Sequence, residues 1–361
     1  MIWSCPAWVE NVLREAAPTV SSSALVDAIC DRSIAYTTER DRLGELRGNA
    51  DLTARAVFFG VADAAKVMIP LAELGARGVL PASDPVRILD VGAGTGAMTF
   101  GAAAALDRPV DVVAVDRDNL ALDVFERAFR AAGRGSLRIV RADVGEPRWG
   151  AQRFDLVVAG SLFNEIPDEQ HAALARNLLG ALDVGGAVII IEPALRETAR
   201  ALHRLRDALI DAGDAHVFAP CVRRTSPCPM LADESDWCHE DRPGQLPPRA
   251  ARLAEVTGLR DGGLKFSYLV LRREAAALAD VPEGKRAVRV VSHVHRPKGK
   301  IEAFACGDAG RTKLRLLRRH RSDANRAFER ASRGNVLIVG ASDELTASEQ
   351  VDRIDLAKAK S

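Results

Sequence analysis

The sequence predicts an α/β protein built on a doubly wound, Rossmann-like sheet, and three observations carry that prediction. Between residues 86 and 193 short apolar runs alternate with helical stretches. A turn with glycine at every second position follows the first run, and an acidic residue stands at the end of each of the first three. The runs are VRILDV, VDVVAVD, LRIVRAD, FDLVVAG and GAVIIIEP, and between them NLALDVFERAFRAAG and DEQHAALARNLLGALDVGG place apolar residues at helical spacing. Strands that alternate with helices form a parallel sheet covered on both faces.

Around this core the chain divides into further parts. Residues 1–80 contain stretches such as LTARAVFFGVADAAKVMIPLAEL and predict a helical N-terminal region. The Rossmann-like domain spans 81–216 and ends in the helix ALRETARALHRLRDALIDAG. The periodicity then stops: residues 217–250 hold six prolines and three cysteines, too long a segment to be an idle loop in a compact domain. Within 251–275, FSYLVLRR reads as a return strand of the sheet. Within 276–340, AVRVVSHVHR, KIEAFAC and RTKLRLLRR read as short strands of a basic antiparallel appendage, and 341–361 reads as a polar tail.

A chain of 361 residues is long enough for one sizeable core with appendages. Its 50 Lys and Arg nearly cancel its 49 Asp and Glu, so any basic face is local. No apolar run approaches the roughly 20 residues that cross a bilayer. The start, MIWSCPAWVE, lacks a basic region followed by an apolar core, so a cytoplasmic protein with no membrane partner is expected, and as a monomer. In a reducing compartment the six cysteines are not expected to pair as disulfides. Cys5 and Cys30 stand alone, whereas Cys221, Cys228 and Cys238 fall within 18 residues, and such clustering points to metal.

The run ILDVGAGTGAMTF puts Gly92, Gly94 and Gly96 after a buried strand and before a helix. Glycines there let the backbone turn tightly and approach a ligand, with the helix N-terminal amides facing it. A dinucleotide site competes with this reading on the glycines alone. The acids shift the balance: Asp90 precedes the loop, Asp116 ends the second strand where a carboxylate can accept both ribose hydroxyls, and Asp143 ends the third where it can meet an adenine amino group. GxGxG with an acid on three successive strand ends resembles the seven-strand, S-adenosylmethionine-dependent methyltransferase fold. That resemblance implies S-adenosylmethionine as cofactor, with ribose on Asp116 and adenine beside Asp143.

Thiolates are soft ligands suited to iron–sulfur clusters or zinc, and the prolines around Cys221, Cys228 and Cys238 reduce the entropy lost in fixing their loop. Paired CxxC knuckles are absent, and the wide spacing favours a cluster. A [4Fe-4S] cluster takes four thiolates, and Cys306, between a strand and a glycine-containing turn, is the candidate fourth. His239 is the rival ligand and suits zinc. Metal ligation is the expected source of the free energy that orders a loop so poor in apolar residues.

In order, LDVGAGTG, GSLFNEIP, IIIEP, APCVRRTSPCPMLADESDWCH and KFSYLVLRR, followed by a cysteine and a basic stretch, resemble the Rsm22 family of small-ribosomal-subunit-associated methyltransferase-like proteins. The resemblance runs from about residue 50 to about residue 340. It implies a role in small-subunit assembly or 16S ribosomal RNA modification, and a [4Fe-4S] cluster on Cys221, Cys228, Cys238 and, in fourth place, Cys306. The chain departs from the family pattern in having Val222, Arg223 and Arg224 after the first cysteine and ASRGNVLIV near its end.

From Arg296 to Arg333, twelve lysines and arginines face four acids, a local charge of +8 of the kind that phosphate binding needs. After the fourth strand, where base-amino methyltransferases place an NPPY-like turn, this chain has GSLFNEIP, whose Asn164 and Glu165 are pocket candidates or caps of the next helix. No cysteine or lysine stands there as nucleophile or base, but a methyl sulfonium is reactive enough for positioning to provide much of the rate. The expectation is therefore an RNA methyltransferase of the small subunit. The alternatives are a noncatalytic assembly factor that uses the fold as an RNA-binding scaffold, and a small-molecule methyltransferase.

Overall fold

The computed structural model describes residues 2–39, 42, 47–145, 149–260 and 263–354. A two-residue strand β1 (Trp3–Ser4) precedes helices α1 (Ala7–Ala16), α2 (Ser22–Thr37) and α3 (Asn49–Ala54). α3 continues through a π-helical turn, Arg55–Gly60, into α4 (Val61–Ala76). The alternating region follows as β2 (Val86–Val91), α5 (Ala97–Leu106), β3 (Val110–Asp116), α6 (Asn119–Ala132), β4 (Gly135–Arg141), β5 (Phe154–Gly160), α7 (Asp168–Gly180), β6 (Leu182–Pro193) and α8 (Arg196–Asp211). β7 (His216–Ala219), β8 (Glu240–Gln245), α9 (Pro248–Thr257) and β9 (Gly263–Arg272) complete the first sheet.

That sheet has the order β1-β8-β9-β6-β5-β2-β3-β4, with β7 also paired to β9. Strands β2 to β6 are parallel, and β9 returns antiparallel to β6. Strand order reverses between β2 and β5, the point at which sheets of this kind open a crevice beyond their carboxyl ends. The central strands are apolar on both faces because both are covered. In β2, Val86 and Ile88 join α1, α4, α5 and α6 in one core, while Leu89 and Val91 join α7 and α8 in the other. A Cβ on Gly101 of α5 would lie 1.9 Å from the Ala64 carbonyl, so α4 and α5 cross at backbone contact.

A second sheet holds β10 (Arg286–Val290), β11 (Lys300–Gly307), β12 (Gly310–Leu317), β13 (Val336–Val339), β14 (Glu344–Leu345) and β15 (Asp352–Arg353), with a short helix α10 (Arg326–Glu329) after β12. Several details differ from the sequence reading, among them strand β8 and the start of α9 inside the segment 217–250 read as a loop. Leu182–Gly186, taken as the end of a helix, already belongs to β6, with Leu182 in register opposite Phe154. The stretch expected to be a polar tail supplies β14 and β15 and buries Leu345 and Val351; only residues 355–361 of it lie outside the described residues. A strand, β1, lies within the helical N-terminal region and pairs with β8.

Alternation along β13 and β10 ties the second sheet to the first. Leu337 and Val339 enter the small core, while Val336 and Ile338, on the other face, enter the main one. On β10, Val288 and Val290 pack inward and Arg289 turns to the main domain. There its guanidinium donates to Glu73 (2.7 Å), Glu240 (3.0 Å), the Tyr268 hydroxyl (2.9 Å) and the Pro220 carbonyl (3.0 Å). Tyr268 donates to Glu73 at 2.6 Å, and Arg242 bonds Glu240 at 2.6 Å and the Gly334 carbonyl at 2.8 Å. Burial alone would raise the Glu240 pKa, but Arg242 and Arg289 hold it down to about 2.

Removing one partner of a buried pair strands the other's charge. Arg289→Met should lower the unfolding free energy by about 3–5 kcal/mol in urea titrations. Because the folded Glu240 pKa is depressed, its contribution is present above the ordinary carboxylate range. It should be lost as pH falls from that range toward 2, and less so in the variant.

Candidate functional site

The crevice at the switch point is an open cleft of about 970 Å³. Its floor is the loop between β2 and α5. Gly92, Gly94 and Gly96 have φ of 71°, 50° and 88°, the left-handed region that glycine enters at little cost. Two of them also answer to packing: a Cβ on Gly96 would lie 2.3 Å from the Phe125 ring, and one on Gly92 3.0 Å from Leu162. Gly94 faces open space, with only the Arg55 Nη2 within 4 Å, at 3.7 Å.

Asp116 lies at the end of β3 on the lining of the cleft. Its Oδ2 accepts from the Gly94 amide at 2.7 Å and its Oδ1 from the Asp118 amide at 2.8 Å, which fixes the carboxylate while leaving lone pairs for a ligand. Asp143 is exposed at the far end of the cleft, with Oδ1 accepting from Gly145. Asp90 is placed differently from these two. It is buried behind the loop, where its Oδ2 accepts from the Thr99 hydroxyl at 2.6 Å and the Thr99 amide at 3.2 Å. Burial pushes its pKa up to about 7, and Asp90 thus holds the loop against α5 and does not line the cleft.

The segment after β5 forms another wall. Ser161 has φ of 55°, an uncommon value for a residue with a side chain and one that concentrates at functional sites. Asn164 and Glu165 both line the cleft. The Asn164 side-chain amide donates to Glu192 at 2.8 Å, and the amides of Leu162 and Phe163 bond the same carboxylate at 3.0 and 2.8 Å. Glu192, fully buried at the end of β6 with its pKa pushed up by burial to about 7, therefore sets the shape of this wall. The sequence reading missed it, although the acid that closes IIIEP was in view.

The remaining wall, also missed, comes from α2, α3 and the π-helical turn. Arg32 pairs bidentately with Asp51 (2.5 and 2.8 Å) beside Tyr36, and Arg55 bonds Asp118 at 2.5 Å. A Cβ on Gly60 would sit 2.9 Å from the Arg55 carbonyl and 3.1 Å from the Thr95 hydroxyl, so glycine is what lets this helix lie against the glycine loop.

The cysteines gather elsewhere, between α8 and the second sheet. Cys228 is buried against Met230 and Val291, with Cys238 and Cys306 packed at the edge of the same cluster. Cys221 lies within electrostatic range of each of Cys228, Cys238 and Cys306. Burial pushes the Cys228 thiol up to about 12, Cys306 to about 11 and Cys238 well above its usual value. Among the described residues no three His, Cys, Asp or Glu are grouped as ligands of a metal ion. Arg206, buried beneath the cysteines, has its Nε without a partner, as does the buried Nε of Arg223. His239 is engaged elsewhere, stacked on Trp237 and beside Arg333.

The loop is also held by protein alone. From α8, Arg200 donates to the carbonyls of Met230, Asp233 and Asp236 at 2.7 to 2.9 Å, and Arg206 to those of Arg223 and Thr225. Asp207 accepts from the Cys228 amide at 2.7 Å and His203 from the Cys238 amide at 3.1 Å. The expectation that metal alone orders this loop is corrected by these bonds.

Fold and cleft together define a doubly wound α/β protein with an open crevice at its switch point, joined to a second sheet on which Cys306 packs near Cys228 and Cys238. The chain belongs to the Rsm22 family, described as mitochondrial small ribosomal subunit Rsm22, whose family model matches residues 55–337. No curated protein matches it. Among solved structures it is similar to the magnesium protoporphyrin IX methyltransferase of Synechocystis PCC 6803 with bound SAM, at 16% identity over 69% of this chain and 97% of that one, TM-score 0.38. It is similar also to the plantazolicin methyltransferase BpumL in complex with SAH (11% identity, 74% and 100%, TM-score 0.40) and to TrmN of Thermus thermophilus (19%, 57% and 52%, TM-score 0.33). No helix among the described residues is long and apolar enough to cross a membrane.

Proposed function

We propose that the protein is an S-adenosylmethionine-dependent methyltransferase of small-subunit (16S) ribosomal RNA, with a [4Fe-4S] cluster on Cys221, Cys228, Cys238 and Cys306. The observation that carries the methyltransferase reading is the Asp116 carboxylate, fixed by two backbone amides at the mouth of a cleft floored by left-handed glycines. In this reading Asp116 receives the ribose hydroxyls and Asp143 the adenine amine, while Gly94 leaves room for the ligand above the loop. Bound there, the cofactor supplies an electrophilic methyl sulfonium. The chain's own task is positioning: the wall shaped by Glu192, with Ser161 and Asn164 on it, presents the target base, and water is excluded as the cleft fills.

Support for the cluster is the packing of Cys228, Cys238 and Cys306 in one group, with Cys221 in electrostatic range of each, beside Arg206 and Arg223, whose buried Nε atoms lack partners. Held as thiolates, these side chains would meet Arg206, Arg223 and Arg311, each of which favours the charged form of a cysteine in this group. Support for an RNA partner is the family, together with the +8 stretch from Arg296 to Arg333 on the second sheet.

By calorimetry, Asp116→Ala should weaken S-adenosylhomocysteine binding about 10- to 100-fold, the loss expected for hydrogen bonds to a charged acceptor. Equal affinity in the variant, or no binding by the unaltered protein, would remove the assignment. Anaerobically purified protein should carry about four irons per chain with a broad band near 400 nm. Cys306→Ser should lower the iron content and weaken RNA binding while S-adenosylhomocysteine binding survives; about one zinc per chain and no iron would refute the cluster.

A further inference from the structure

We propose that Arg55 is the receptor for the cofactor's amino-acid carboxylate, an inference that rests on the S-adenosylmethionine reading of the cleft. Three observations place it there. Arg55 Nη2 is the heavy atom nearest to where Gly94 would carry a side chain, 3.7 Å away and on the open side of the glycine loop. Nη1 is anchored to Asp118 at 2.5 Å, while Nη2 makes no hydrogen bond among the described residues. Asp118 is itself the N-cap of α6, its Oδ1 accepting from the Ala121 amide at 3.1 Å, two residues past Asp116. The guanidinium is thus held on the cofactor side of the cleft by a residue adjacent to the proposed ribose site.

A cofactor whose ribose lies on Asp116 must lay its sulfonium and amino-acid end along the glycine loop. That end carries a carboxylate, which in a half-buried site needs a cation, and a planar guanidinium fixed at one nitrogen offers its other nitrogen with little further loss of freedom. Arg55 is 22% exposed, accessible to a ligand yet sheltered enough for the contact to matter. The π-helical turn has a purpose here. It delivers Arg55 over the loop while Gly60, at its other end, lets the helix approach Thr95. The other candidate use of this cation is an RNA phosphate, which would show as a loss of RNA affinity alone.

The test compares two ligands on the full chain. S-adenosylhomocysteine has the carboxylate, and 5′-methylthioadenosine shares the adenosine and sulfur but lacks the amino-acid arm. Arg55→Gln should weaken S-adenosylhomocysteine about 10- to 100-fold by calorimetry and leave 5′-methylthioadenosine within about twofold. Arg55→Lys, which keeps the charge and loses the fork, should fall between and also serves if the glutamine variant folds poorly. Parallel losses for both ligands, no loss for either, or a loss only of RNA affinity would overturn the assignment. If the unaltered protein binds neither ligand, the cofactor reading itself fails and takes this one with it. Binding of 5′-methylthioadenosine unaffected by Arg55 but abolished by Asp116→Ala would show the adenosine site to be sound whatever the arginine does.

Discussion

Arg289 is the constraint on which the arrangement of this molecule depends. Its guanidinium reaches from the second sheet into the first and finds Glu73 on α4, Glu240 on β8, Tyr268 on β9 and the Pro220 carbonyl at the start of the cysteine loop. A buried arginine between two buried carboxylates contributes less by net stabilisation than by permitting one geometry, since any other docking leaves charges without partners. Gly334 makes room for it: a side chain there would collide with Arg242 and Glu240. With β13 dividing its side chains between both cores, the second sheet is fixed relative to the cysteines, one of which it carries.

The same docking links the two candidate centres. Helix α8 follows β6, whose last residues include Glu192, and then supplies Arg200, His203, Arg206 and Asp207 to the cysteine loop. One strand–helix unit therefore shapes the wall of the cleft after β5 and pins the cysteine loop.

What the sequence disclosed followed how local each signal was. The parallel sheet and its glycine loop were legible because apolar strands, helical spacing and glycine at 92, 94 and 96 all act within a few residues of where they are written. Asp116 and Asp143, which line the cleft, carry a signal of the same local kind. Asp90 was grouped with Asp116 and Asp143 because all three stand at strand ends, and only the Thr99 bond and its burial set it apart from the two that line the cleft. Arg55, Arg32 and Glu192 were not legible as site residues, since each reaches the cleft by tertiary packing over dozens of residues. Gly60 lies inside LTARAVFFGVADAAKVMIPLAEL, whose helical spacing gave no sign of the π-helical turn. Cys306, read from its setting beside a strand, packs at the edge of the Cys228 group; the α8 side chains that hold the cysteine loop carried no sequence signal, because they reach it by tertiary packing. The last strands were missed because two-residue strands carry no periodicity.

The account's central claim is that the cleft transfers methyl groups to small-subunit RNA. The most direct measurement maps 16S methylation and subunit assembly in cells carrying the full chain, a deletion, or Gly94→Asp, whose carboxylate would stand in the open space above the loop. The account predicts that the deletion and the variant lose the same RNA methyl group and share an assembly defect. Full assembly by a variant shown not to bind S-adenosylmethionine, with every methyl group retained, would contradict it and leave the fold as a scaffold.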